Sequence, residues 1–224
     1  MIDGNFLAEA IVMYVCLLLS LSVHEAAHAA MSNYRGDPSA RLMGRVSLNP
    51  LAHIDPIGTV LMPMLMIFTQ APFLFGWAKP VPFNPRNLKD QRRDPSLIAL
   101  AGPTSNLLLA FLVVFVARVL ALLVDTGAIT ALPYLAVVFI IKMILINLVL
   151  AAFNLIPVPP LDGHHLLYYF MPASGQRALE QIGPFGILIA ILVARPLFSF
   201  LMPLFSFILA FAGIDALAQA AGII

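Results

Sequence analysis

The chain has 224 residues, of which 61% are hydrophobic and 10% are charged, and its formal net charge is +1. Its mean hydropathy of +0.97 excludes an ordinary soluble domain. It predicts a single polytopic all-α membrane domain over residues 1–224, with about 4–6 transmembrane helices. The near-neutral charge gives no reason to expect a nucleic-acid partner, and the single cysteine excludes an intrachain disulfide.

The first apolar stretch, from Phe6 to Asn33, contains the sequence His24-Glu25-Ala26-Ala27-His28. In a helix, residues four apart lie on one face, so both imidazoles can reach one metal ion. Glu25 is rotated by about 100° from His24, which lets it reach a water at the metal without being a ligand. Ionisable side chains are costly in lipid and therefore indicate function. The alternative is a pair of buried histidines satisfied by neighbouring side chains.

The segment after this helix alternates apolar and polar side chains between residues 41 and 49. The alternation predicts a small β-hairpin on the cytoplasmic side. Such a hairpin either pairs only with itself or adds an extended substrate segment to its edge. The following apolar segment, 57–77, is interrupted by prolines and glycines, which predicts a re-entrant segment. A full membrane span is the alternative, because the segment is long enough.

Basic residues concentrate between the first and the third apolar segments: Arg35, Arg41, Arg45, Lys79, Arg86, Lys89, Arg92 and Arg93. The positive-inside rule therefore puts region 35–94 in the cytoplasm and the N-terminus outside a multi-pass cell-membrane protein. The metal site would then lie towards the cytoplasmic side.

Two further apolar segments, 95–124 and 133–156, are joined by a short turn and predict an antiparallel helix pair; residues 182–211 are apolar again. A catalytic zinc site needs a third protein ligand and one open position. Asp162 is the candidate, because it follows a proline-broken helix end. If segment 57–77 does not cross the membrane, Asp162 lies on the same side as His24 and His28. Its alternative role is to cap the helix that opens at Gly163.

These residues resemble the site-2 proteases, which are intramembrane zinc metalloproteases. His24-Glu25-x-x-His28 matches their first motif, and the segment from Asn154 to Asp162-Gly163 matches their second. The stretch Gly102-Pro103-x-x-Asn106 is similar to the small prokaryotic members without a PDZ domain. The resemblance implies one Zn²⁺ per chain, held by His24, His28 and Asp162, and cleavage of transmembrane protein substrates in the lipid bilayer.

The resemblance also implies catalytic roles. Glu25 would be the general base, and Asn154 would bind the substrate backbone or the developing oxyanion. The alternative for Asn154 is an interhelical hydrogen bond near Asn106, a residue interpreted as mainly structural. The remaining histidines, His53, His164 and His165, are interpreted as polar rim residues.

A different class of function uses the same charged cluster. In a membrane transporter or ion conduit, His24, Glu25, His28 and Asp162 would relay protons or carry a metal across the membrane. Inverted repeats would favour this alternative, and the sequence has none.

Overall fold

The computed structural model describes residues 4–71 and 76–223. Within these ranges the chain forms α1 (Gly4–Tyr34), α2 (Ser39–Leu42), α3 (Met62–Phe68), α4 (Asp94–Asp125), α5 (Tyr134–Asn154), α6 (Gly163–Phe170), α7 (Ala173–Gln181), α8 (Gly183–Phe211) and α9 (Ile214–Ala220). In the described part of the chain, α1, α4, α5 and α8 are long and apolar enough to cross a membrane. The prediction of an all-α polytopic protein is confirmed at this level.

The predicted β-hairpin at 41–49 is wrong, since residues 4–71 and 76–223 contain no strand. The backbone groups of this segment bond locally instead of across a ladder. Arg45 N–H donates to the carbonyl of Ala40, and Ala52 N–H donates to that of Asn49. The N–H groups of residues 42–45 are thus used in local turns, and the predicted hairpin does not form.

The re-entrant interpretation of segment 57–77 is not supported either. Asp55 accepts hydrogen bonds from the N–H groups of Ile57 and Gly58 and so begins a π-helical stretch, Pro56–Leu61, that continues into α3. The combined apolar helix, Pro56–Phe68, is shorter than the four candidate spans. Residues 72–75 of this segment lie outside the described residues.

The connector between α1 and α4 begins and finishes at the same end of this helix pair. Arg35 pairs with Asp94 at 2.6 Å between Nη2 and Oδ1, and Asp94 is fully buried. Lys89 N–H donates to the carbonyl of Arg35. The chain therefore leaves α1 and enters α4 at the same level.

Asp37 organises the turn that follows α1. Its carboxylate accepts hydrogen bonds from the hydroxyl and N–H of Ser39, from Asn84 N–H and from the Asn87 amide. Although burial alone would raise the pKa of Asp37, these donors lower it to about 2. The connector is thus closed on itself around one ionised carboxylate.

The main apolar core lies between α4, α5, α8 and α9, in the half of α4 that is remote from Asp94. Small residues let the helices approach closely there: Ala110, Ala117, Ala121 and Ala212 are all at most 2% exposed. The other half of α4 packs against α1 and carries buried polar groups. That half holds the candidate site.

Candidate metal centre

Two histidines of α1 face each other one helical turn apart. His24 and His28 are buried, and their Nε2 atoms lie 3.0 Å apart. Their rings meet edge to face, with centroids 4.5 Å apart. This is the arrangement that a spacing of four residues predicts on a helix.

Asp162 reaches the same space from the loop between α5 and α6. Its Oδ2 lies 3.2 Å from Nε2 of His24 and 3.3 Å from Nε2 of His28. The loop can fold this tightly because the next residue is Gly163, where a Cβ would lie 2.4 Å from the carbonyl oxygen of Leu155. The Asp162 side chain makes no capping hydrogen bond to α6, so the alternative role as a helix cap is wrong.

The second nitrogen of each imidazole is engaged on the opposite side of the ring. Nδ1 of His24 lies 2.7 Å from Oδ1 of Asn106, and Nδ1 of His28 lies 2.7 Å from the carbonyl oxygen of Ile98. Because both partners are acceptors, each Nδ1 carries the hydrogen and donates it. In its neutral form, each imidazole held this way presents an unprotonated Nε2 towards Asp162, as a metal ligand requires.

The three converging atoms suit a cation. Two nitrogen lone pairs and a carboxylate oxygen lie 3.0–3.3 Å apart, and Oδ2 of Asp162 is buried without a hydrogen-bond partner. A tetrahedral zinc ion with bonds of about 2.1 Å separates its ligands by about 3.4 Å, so the donor set fits zinc and leaves one position open. Among residues 4–71 and 76–223, no other group of three or more His, Cys, Asp and Glu side chains is close enough to hold a metal.

Helix α4 approaches the two imidazoles at Gly102. A Cβ at this position would lie 2.4 Å from Nε2 of His28 and 2.5 Å from Cε1 of His24. Any side chain here would therefore occupy the space that the ring nitrogens face. Gly102 is part of the site although it offers no ligand atom.

Glu25 is next to the cluster in sequence but is not one of its members. It follows His24 on α1, is partly buried, and is not one of the three side chains that converge. Within the described residues its carboxylate accepts no hydrogen bond, which leaves it available to a water or a substrate group.

Asn154 does not make the interhelical hydrogen bond that the sequence offered as its alternative role. Its amide donates to the carbonyl of Leu150 in its own helix, at 3.0 Å. The interhelical partner of Asn106 is Asn147 instead, at 2.8 Å. The interpretation of Asn106 as mainly structural was therefore incomplete, because its Oδ1 contacts a candidate ligand.

Sequence reasoning missed Ser20 and Asn147, which surround Asn106. The available signal was a polar side chain inside an apolar helix, where an unsatisfied group is costly.

The interpretation of His53 as a rim residue is also wrong: its side chain is 2% exposed, and its Nε2 lies 2.8 Å from the carbonyl oxygen of Ser47.

Comparisons with known proteins show which family the chain resembles. The model of "Peptidase family M50" matches residues 12–193. "Putative zinc metalloprotease YwhC" of Bacillus subtilis is 36% identical over 191 residues, covering 85% of this chain and 83% of the relative. "Putative zinc metalloprotease Rip2" of Mycolicibacterium smegmatis is 29% identical over 210 residues, covering 92% of this chain and 75% of the relative. No solved structure matches the chain. None of these likenesses supports a transporter or ion conduit.

Proposed function

Because the chain belongs to peptidase family M50, an intramembrane zinc metalloprotease family, we propose that His24, His28 and Asp162 hold its zinc ion, one per chain. The observation that carries this proposal is the convergence of the two Nε2 atoms, whose Nδ1 atoms face acceptors, on a buried carboxylate oxygen without a hydrogen-bond partner. Zinc, once bound, activates a water molecule and polarises the carbonyl of the peptide bond.

Glu25 is the proposed general base. Glu25 directly follows His24 in α1, and within the described residues its carboxylate makes no hydrogen bond, so it can accept a proton from the attacking water. It then returns that proton to the leaving amine, which otherwise departs as an unstable anion. This role requires Glu25 to stay outside the ligand set.

Zinc content tests the ligand assignment. We expect one zinc per chain in the purified protein by elemental analysis, and a large loss of zinc in His24→Ala and in Asp162→Ala, because the two protein ligands that remain hold the ion weakly. His53→Gln is the matched control: it changes a buried histidine outside the cluster and should retain the metal. Wild-type zinc content in Asp162→Ala would contradict the assignment.

The proposed substrate is a transmembrane protein whose helix is unwound near the site, because helical amides are closed in hydrogen bonds. We propose that Asn154 contributes to catalysis by donating its amide to the substrate backbone or to the developing oxyanion. It ends α5 eight residues before Asp162 and is partly exposed, so its amide can exchange the carbonyl of Leu150 for a substrate group.

The proposed orientation puts the connector 35–94 and the metal centre on the cytoplasmic side and the N-terminus on the other. Two observations support it: the connector is basic, and the pairing of Arg35 with Asp94 brings its two ends together. The turn after α4, near Thr126, then faces the opposite side.

Cysteine labelling tests this orientation. Arg41→Cys and Arg86→Cys alter exposed positions in the connector, and Thr126→Cys alters an exposed position after α4. With an impermeant thiol reagent, we expect the first two to react only from the cytoplasmic side and the third only from outside. The native Cys16 is buried and is the unreactive background. Labelling of Arg41→Cys and Arg86→Cys from different sides would contradict the orientation.

A further inference from the structure

Two buried asparagine amides and a serine are hydrogen-bonded to one another on the side of the His24 ring away from the metal centre. Asn106 on α4, Asn147 on α5 and Ser20 on α1 are all fully buried where three helices meet. Polar groups at such a depth stabilise the fold only if every donor and acceptor is satisfied. The hydrogen bonds around these residues are therefore informative in their direction, not only in their number.

The orientation of the Asn147 amide is set by the backbone carbonyl of Met143. Asn147 Nδ2 donates one hydrogen to the carbonyl of Met143 and the other to Oγ of Ser20, both at 2.8 Å. A carbonyl oxygen only accepts, so the amide nitrogen of Asn147 must point towards it. The oxygen of Asn147 is thereby turned towards Asn106.

Asn106 is oriented in turn by Asn147. Its Nδ2 donates to Oδ1 of Asn147 at 2.8 Å and to the carbonyl of Ser20 at 3.2 Å. Both hydrogens of the amide are used, and its oxygen is left to accept from Nδ1 of His24 at 2.7 Å. The hydrogen of His24 is consequently held on Nδ1, and Nε2 is left unprotonated.

The opposite tautomer of His24 is disfavoured by the same contacts. An imidazole with its hydrogen on Nε2 would need a donor at Nδ1, so Asn106 would have to turn its amide around. Its oxygen would then face Oδ1 of Asn147 and the carbonyl of Ser20, which are two acceptors. Buried acceptors without donors are costly, and more so in a low-dielectric interior.

We propose that Asn147, together with Ser20, is a positioning residue that acts through Asn106 to hold His24 in the tautomer whose Nε2 faces the metal. This inference rests on the proposed function, in which His24 is a zinc ligand. It assigns the interhelical amide pair a role in metal affinity in addition to helix packing.

The test is a double-variant cycle on zinc affinity, measured by competition with a chelator. Asn106→Leu should weaken zinc binding by about 10–100-fold, and Asn147→Leu by about tenfold, as loss of partners to ligating histidines typically does. The double variant should bind zinc no more weakly than Asn106→Leu alone, because Asn147 acts through Asn106. The proposal would be overturned if the fold losses of the two single variants multiplied in the double variant, or if Asn147→Leu kept the wild-type zinc affinity.

Ser20→Ala keeps the test decisive if the leucine variants do not fold. It removes only the hydroxyl that Asn147 contacts and should weaken zinc binding by roughly threefold, the scale of one modest neutral hydrogen bond. Ser22→Ala is the matched control, because Ser22 is buried on the same helix and its hydroxyl donates to the carbonyl of Leu18, its one partner among the described residues. Equal zinc affinity of Ser20→Ala and Ser22→Ala would overturn the proposal.

Two further readouts distinguish positioning of His24 through Asn106 from helix packing and from the metal site itself. The absorption spectrum of bound Co²⁺ should change in Asn147→Leu, because its ligand His24 is reoriented. If Asn147→Leu keeps the wild-type spectrum and zinc affinity and only lowers the unfolding temperature of the metal-free protein, Asn147 serves helix packing alone. That result would overturn the proposed positioning role. Failure of the wild type to bind zinc would instead overturn the proposed metal site.

Discussion

Glu25→Gln should leave zinc bound and lower kcat for peptide-bond cleavage by about 10²–10⁴-fold, the range that general acid–base catalysis contributes. Glutamine preserves the size of the side chain and can still hydrogen-bond to a water, but it cannot accept a proton. The measurement combines elemental analysis with cleavage of single-span membrane proteins that are reconstituted in the same bilayer as the purified enzyme.

The controls separate the base from the ligands. His24→Ala should lose both zinc and cleavage, whereas Glu25→Gln should lose cleavage alone. Equal loss of zinc in the two variants would identify Glu25 as a ligand, and full cleavage by Glu25→Gln would remove it from the mechanism. The structure motivates the distinction, because three other side chains converge and Glu25 is not among them.

The cluster of His24, His28 and Asp162 was predictable because its parts are encoded locally. A spacing of four residues on an apolar helix fixes the relation of His24 to His28 whatever the rest of the fold does. Asp162 needed one further assumption, namely that the chain returns to the same end of the helix pair before α4. The contact between Arg35 and Asp94 meets that condition.

The connector was not predictable in the same way. Alternation of apolar and polar residues between 41 and 49 is typical of a strand, but a strand also needs a partner. Here the local turns close first: Gly44 adopts a positive φ of 71°, and Arg45 N–H bonds back to Ala40. Turn chemistry therefore prevailed over periodicity, and the predicted β-hairpin does not form.

The partners behind the ligands were missed for a different reason. Asn106 and Asn147 are 41 residues apart in sequence and meet only once α4 and α5 have packed. Their chemistry depends on which end of each amide faces which neighbour, and no sequence pattern contains that information. A buried asparagine in an apolar helix indicates a polar partner, but it does not identify that partner.

Gly102→Ala should abolish zinc binding and cleavage together, although it removes no ligand. The added Cβ would lie 2.4 Å from Nε2 of His28 and 2.5 Å from Cε1 of His24, well inside van der Waals contact. The rings cannot simply move aside, because Asn106 and the carbonyl of Ile98 hold their Nδ1 atoms. Either the imidazoles lose these bonds or α4 separates from α1, and both responses disrupt the ligand geometry.

Gly183→Ala is the matched control, since the same methyl group at Gly183 would meet no atom within 4 Å. It should retain zinc and cleavage, so any loss in Gly102→Ala reports the local contact rather than a general effect of removing a glycine. Zinc content and cleavage rate are compared for the two variants at equal recovery of folded protein. Wild-type zinc affinity in Gly102→Ala would mean that α4 does not approach the imidazoles as closely as the structure has it, and the tautomer argument for His24, which depends on the same approach, would fail with it.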